Sequence, residues 1–352
     1  MKQKIEQLNA RARALPRAQL GFFPTPLHRL DRLSGRLGIE LYIKRDDLTG
    51  MSLFGGNKIR KLEHLMGDVL AQGADTVITY GAVQSNHAMQ TATACRRLGL
   101  HPVLCLNPCS ERDAGNVRAN YLLNRILGAE VHVVDYIAGE AEADMKARRR
   151  AVGRSRAQAL TQAGHTCYDM PSGGASPLGT VGYITGYAEL MGQCLDLGIA
   201  PDYVFSATGT GGTQGGMVGG HLALGDRAQV IGIADSPLDD DFEENSAALC
   251  NGAMALLGLE ERAKASDIYV DHNYYAPGYE KPSDIGTRAI RLMAREEGLM
   301  LDPVYTGKAF AGLLDWIEQG RVKPGSTVVF WHTGGVTALF ADREIAGPLG
   351  EA

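Results

Sequence analysis

Lys58 follows Gly55, Gly56 and Asn57 and opens a segment of helical period, so a primary amine stands at a helix entry beside a turn with little side-chain bulk. Arg60 and Lys61 lie alongside. Neighbouring positive charge lowers a lysine pKa toward the neutral amine that Schiff-base chemistry requires. Further along, ATGTGGT (Ala207–Thr213) offers backbone NH groups and hydroxyls that wrap a phosphate dianion without a cationic side chain. Ser85 and Asn86, in TVITYGAVQSNHA, fall where a strand turns into a helix, and the positive end of a helix dipole collects anions there. DPVYTGK (Asp302–Lys308) and HTGG (His332–Gly335) each set hydroxyl groups next to glycine.

Each of these segments also has an ordinary reading when taken alone. A lysine at a helix start is a solvated surface residue, a glycine-rich turn joins any strand to any helix, Tyr305 fits a core, Thr333 fits a strand end, and His332 fits a satisfied core position.

The elements that must position these residues follow βαβ grammar. Strand patterns fall at Thr76–Tyr80, His101–Leu106, Glu130–Asp135 and His165–Met170, and again at Asp202–Ala207, Gln229–Ala234 and Thr327–His332, with helical patterns such as Thr287–Glu297 between them. That alternation predicts an α/β protein with two doubly wound, mostly parallel sheets. At 352 residues the chain exceeds what one core usually serves, which agrees with two folding units.

Composition removes several classes of function. A hydrophobic share of 45% and a charged share of 21% describe an ordinary globular chain. The net charge of -5 leaves no footprint for nucleic acid, and the basic run Arg148, Arg149 and Arg150 reads as a solvated helix face. No apolar run approaches the roughly 20 residues that span a bilayer, and the polar start MKQKIEQLNARARALP does not read as a signal peptide, so a cytoplasmic location with no membrane partner is expected. Six cysteines without a CxxC pair point to buried free thiols rather than a metal or redox site. HExxH, GxSxG and phosphate-loop signatures are absent, and GTGGTQ puts Gln214 where a dinucleotide fingerprint needs glycine.

Taken in order, PTPL (Pro24–Leu27), IKRDD (Ile43–Asp47), GGNKIRKLE (Gly55–Glu63), QSNH (Gln84–His87), ATGTGGT, APGY (Ala276–Tyr279), DPVYTGK and HTGG resemble the fold-type II pyridoxal-phosphate (PLP) family of D-cysteine desulfhydrase and 1-aminocyclopropane-1-carboxylate (ACC) deaminase. The resemblance implies a tryptophan-synthase-β-like arrangement. A large domain would comprise residues 1–60 and 172–352, a small inserted domain residues 61–171, and PLP would sit in the cleft between them, in a homodimer. It further implies that Lys58 holds the cofactor as a Schiff base and that Asn86 meets its phenolic oxygen. Thr208, Gly209, Thr210, Gly211, Gly212 and Thr213 would cradle its phosphate. Gln84, Ser85, Asn86 and His87 would hold the substrate carboxylate, Ser85, Tyr279 and Tyr305 would join Lys58 at the reacting face, and Thr306 and Thr333 would lie near the pyridine end. Where ACC deaminases carry glutamate and leucine at the last two positions, two neutral hydroxyls favour β-elimination over ring opening. Met89 and Glu280 depart from the family pattern, which usually has arginine and glycine there.

The reaction these implications favour is elimination from a small sulfur-containing amino acid, D-cysteine first, giving pyruvate, ammonia and sulfide. Cysteate sulfo-lyase and ACC deaminase activities are alternatives within the family, and a catalytically silent PLP-binding protein is the alternative of another class.

Overall fold

The computed structural model describes residues 1–50, 55–111, 115–341 and 343–350. Met51–Phe54, inside the segment that leads to Lys58, lie outside the described residues.

Two sheets organise the chain. The larger has six strands in the order β1-β2-β10-β7-β8-β9, which are Leu27–Arg29, Glu40–Arg45, Thr327–His332, Tyr203–Thr208, Gln229–Ala234 and Tyr269–Asp271. Among the described strands of this sheet only the β1–β2 pairing is antiparallel. The smaller sheet, all parallel, has the order β5-β4-β3-β6, from Glu130–Val133, His101–Asn107, Thr76–Ala82 and Cys167–Met170. All seven strands read from the sequence are present.

Three further strands escaped that reading. β1 and β9 are three residues long, too short to show alternation. β2 reads ELYIKR, and its polar appearance comes from Lys44, which is fully buried and paired with Glu189 at 2.6 Å.

The helices are α1 (Lys2–Arg13), α2 (Asp31–Leu37), α3 (Lys58–Ala71), α4 (Asn86–Arg97), α5 (Ala119–Ile126), α6 (Glu142–Gln162), α7 (Pro177–Leu197), α8 (Gly212–Leu224), α9 (Phe242–Leu256), α10 (Asp284–Glu297), α11 (Thr306–Glu318) and α12 (Arg343–Ala346). They cover both faces of each sheet. Val204, Val329 and Trp331 pack with α7, α8 and α9, while Ile43, Phe205 and Phe330 pack with α10 and α11 on the opposite face. In the smaller sheet Leu104 and Leu106 meet α4 and α5, and Ile78 and Val103 meet α6. A strand with helices on both sides has no wet face, and for that reason every residue of β3 is buried.

Helix boundaries follow from capping chemistry. Ser176 accepts a hydrogen bond from Gly179 N at 3.2 Å with Pro177 at the first helical position, and Gly198 ends α7 in the left-handed conformation. α3 crosses α7 closely because Gly182 has no Cβ; one there would collide with the Arg60 carbonyl. The helix that begins at Lys58 is thereby locked to the layer under the larger sheet. Among the described residues no helix is long and apolar enough to cross a membrane.

Candidate active site

A cleft of about 490 Å³ opens where the carboxyl ends of strands from both sheets meet. Lys58, Ser85, Asn86, His87, Thr208, Gly209, Thr210, Gly211, Thr213, Tyr279, Tyr305 and Thr333 line it. Gln84, Gly212 and Thr306 are not among its lining residues.

Lys58 is the first residue of α3, and its approach is fixed on three sides. Asn57 N donates to Thr333 O at 3.0 Å, Asn57 Nδ2 to Thr213 Oγ1 at 3.2 Å, and Gly56 N to Thr49 Oγ1 at 2.7 Å. Burial brings the Lys58 amine down to about 8, against the opposing pull of the Asp235 carboxylate. The cause differs from the sequence expectation. Arg60 turns away to Asp46 and Glu189 at 2.8 Å each, and Lys61, itself buried, is held far below the ordinary lysine range, first by burial and then by Lys58. Desolvation, not neighbouring charge, makes the amine available.

The turn after β7 has the form expected for an anion cradle. Gly211 caps α8 at φ 75°, and a Cβ there would collide with the Ser246 hydroxyl. Thr208 Oγ1 is buried with no hydrogen-bond partner among the described residues, an acceptor-seeking donor at the start of the turn. The turn is not free of cations, as the sequence had implied: Lys61 Nζ lies beside it, donating to Gly173 O at 3.3 Å.

Ser85 caps α4, accepting from Ala88 N at 3.2 Å. Asn86 Oδ1 accepts from Asn120 Nδ2 at 2.8 Å and from Thr337 Oγ1 at 3.2 Å, which joins the smaller sheet's first helix to the segment after β10. Gln84 is occupied with α5: its Oε1 accepts from Asn120 N at 3.0 Å and its carbonyl from Asn120 Nδ2 at 2.7 Å. His87 contacts Thr79 Oγ1 at 2.9 Å, and burial, then Lys58 and Lys61, hold it well below the usual histidine range, so it is neutral.

Across the cleft the Tyr279 and Tyr305 hydroxyls are hydrogen-bonded, with ring centroids 5.9 Å apart. Burial raises both phenols well above their ordinary range, and both stay protonated. Thr306 is fully buried and donates to Asp302 Oδ1 at 2.6 Å. His332 is a satisfied core histidine, bonded to Met300 O at 2.9 Å.

Of the two departures from the family pattern, Met89 is buried within α4 and does not line the cleft. Glu280 adopts φ 52°, the left-handed region that explains why glycine is the usual residue there.

Sequence reasoning missed four groups. Asp235, at the end of β8, lines the cleft, and burial pushes its carboxyl up to about 6. Asp302 caps α11, accepting from the backbone of Val304, Tyr305 and Thr306 at 2.8 to 2.9 Å. Lys308 Nζ donates to Gly278 O at 2.6 Å and Tyr275 O at 3.0 Å, holding the APGY loop in place. Arg149 is buried at the cleft wall, not on a solvated face: α6 turns this one residue of the basic run inward. Its position in DPVYTGK was a signal for Lys308; the near absence of amphipathic pattern in α6 hid Arg149. Cys109 and Cys167 are only half-buried, whereas the other four cysteines are buried as expected.

A family model described as "Pyridoxal-phosphate dependent enzyme" matches residues 18–334. A Pyrococcus abyssi protein provisionally named as a 1-aminocyclopropane-1-carboxylate deaminase is 41% identical over 340 residues, 97% of each chain. A Klebsiella pneumoniae protein named D-cysteine desulfhydrase is 42% identical over 329 residues, 93% of this chain and 96% of its own. Among solved structures, one titled as an ACC deaminase homologue superposes with a TM-score of 0.84 at 37% identity, covering 95% of this chain and 96% of its own. A threonine deaminase from Solanum lycopersicum shares the fold, at a TM-score of 0.62 and 17% identity over 95% of this chain and 85% of its own.

Proposed function

Because this chain belongs to the pyridoxal-phosphate dependent enzyme family, we propose that it is a lyase that eliminates the sulfur substituent from Cβ of a small amino acid, D-cysteine first. The observation that carries this reading is the pairing, across one cleft, of an amine brought to about 8 with a cradle built for a phosphate dianion. The residues present fit the cofactor. Thr208 has an uncommitted buried hydroxyl, Gly211 leaves room for close backbone approach, and Lys58 is a partly deprotonated amine at neutral pH.

Pyridoxal phosphate, when bound, supplies the electron sink for negative charge developing at Cα. Thr208, Gly209, Thr210, Gly211 and Thr213 would hold the phosphate, and Ser85 with the first turn of α4 would receive the substrate carboxylate. Lys58 Nζ takes the proton from Cα. The Cβ–S bond then breaks with its electron pair leaving on sulfur, and the resulting enamine hydrolyses to pyruvate and ammonia. Tyr279 and Tyr305, protonated throughout, present hydroxyl hydrogens at the same wall. The same step on cysteate releases sulfite in place of sulfide. Thr333 is the neutral hydroxyl we place near the ring nitrogen; Thr306 does not line the cleft, and its hydroxyl is committed to Asp302.

Residues 1–60 with 172–352, and residues 61–171, are our reading of the two domains, supported by the sheet to which each stretch contributes strands. A homodimer is part of the same reading and is tested by sedimentation.

The activity is tested by measuring keto-acid release from D-cysteine, L-cysteine, β-chloroalanine and ACC. Wild type is expected to turn over the thiol and chloride substrates and to be yellow. Lys58→Ala is expected to lose both the visible band and turnover. A Lys58→Ala protein that still eliminates overturns the assignment of the lysine, and efficient ACC turnover without thiol elimination reverses the choice of reaction.

A further inference from the structure

Among the described residues Arg149 is a buried cation with no ion-pair partner. The residue is 6% exposed, in the middle of α6. Its Nη1 donates to Asn107 Oδ1 at the end of β4, and its Nη2 to Ser172 Oγ, just after β6, at 3.2 Å. Its Nε is buried with no partner, and among the described residues no carboxylate stands within ion-pair distance of the guanidinium. Two neighbouring cations of α6 are already paired. Arg148 takes Glu140 at 2.7 Å, and Lys146 takes Glu142 at 2.9 Å.

Removing a guanidinium from water without an anion is costly, so a fold tolerates one where a ligand brings the missing charge. Arg149 meets that condition, because it lines the cleft together with Lys58, Ser85 and Tyr279. Its anchors lie at the carboxyl ends of β4 and β6, on the α6 side of the smaller sheet, while Ser85 opens α4 on the other side. The cleft therefore has two places for substrate anions besides the phosphate cradle. A neutral thiol fills only one.

We propose that Arg149 is a specificity-determining residue that receives an anionic group carried on Cβ, so that this cleft accepts amino acids bearing a sulfonate there. The inference rests on the β-elimination reading. The Cα proton passes to the Lys58 amine, the C–S bond breaks, and sulfur keeps the bonding pair and departs as sulfite, its charge held by the guanidinium. No oxidant or reductant is needed.

The test titrates 3-sulfopropionate, which has both anionic ends and no amine to react, into the PLP-loaded protein by calorimetry. Keto acid released from cysteate is compared in parallel with that from β-chloroalanine. Arg149→Met is expected to weaken 3-sulfopropionate binding by about tenfold or more, and to lower kcat/KM for cysteate by about tenfold more than for β-chloroalanine. Arg149→Lys, which preserves the charge and guards against a folding defect, is expected to retain part of both. Equal losses on both substrates, no loss of sulfopropionate binding, or loss of the bound cofactor's visible band each overturn the proposal. Arg149-dependent binding by a wild type that releases keto acid from none of these amino acids supports the subsite and overturns the elimination reading instead.

Discussion

At the scale of single residues, the behaviour of Lys58 is set by its burial and by one carboxylate. In cofactor-free protein the amine is expected to react with trinitrobenzenesulfonate along a pH curve with its midpoint near 8. Asp235 is ionised at that pH, since its own carboxyl titrates near 6, and it favours the ammonium form. Asp235→Asn removes that support, so the midpoint is expected to move lower; a midpoint that stays or rises shows that Asp235 does not face the amine. The sequence made the candidate lysine legible through its glycine-rich approach, yet not the reason for its reactivity. Arg60 and Lys61 are adjacent along the chain, but a helix turns consecutive side chains about 100° apart, and each has a different destination. The inward turn of Arg149 was hidden for the same reason: three arginines in a row look alike until the helix is placed on its sheet.

At the scale of elements, strands and turns were legible where burial makes a pattern. β3, β4, β7, β8 and β10 are apolar because helices cover both faces, and the two strand-to-helix turns announce themselves by small residues. β2 was illegible because its buried lysine has a partner far along the chain, on α7. The turn into α8 makes a prediction at this scale. Gly211→Val places a β-branched side chain at φ 75° and against Ser246 of α9, so the mouth of α8 must shift. A residue forced into that region costs about 1–2 kcal/mol. PLP affinity is expected to fall by about tenfold, equivalent to about 1.4 kcal/mol. Equilibrium dialysis showing unchanged affinity removes the turn from the cofactor site.

At the scale of the whole molecule, one buried charge network ties elements from distant parts of the chain. Arg60 of α3 is bonded to Asp46, which follows β2, and to Glu189 of α7, which also holds Lys44 of β2; Tyr183 of α7 closes the set on Asp46 at 2.7 Å. Burial alone raises Asp46, but Arg60 and then Lys44 and Tyr183 hold it down near 2. Arg60→Met leaves two carboxylates underground without their main partner, and a stability loss of about 3–5 kcal/mol is expected in urea unfolding. A loss under about 1 kcal/mol shows that the network is relaxed by solvent. The strand order carries one more consequence, for the time at which the protein becomes an enzyme. All four strands of the smaller sheet lie between residues 76 and 170, so that sheet can close before β10 is made. The larger sheet waits for β10, which inserts between β2 and β7 and is made after the other strands of that sheet. Until β10 emerges, β1 and β2 have no strand pairing to β7, β8 and β9, and Thr333, whose carbonyl fixes the approach to Lys58, is not yet in place. A nascent chain thus carries its reactive lysine until β10 emerges without a finished place to use it.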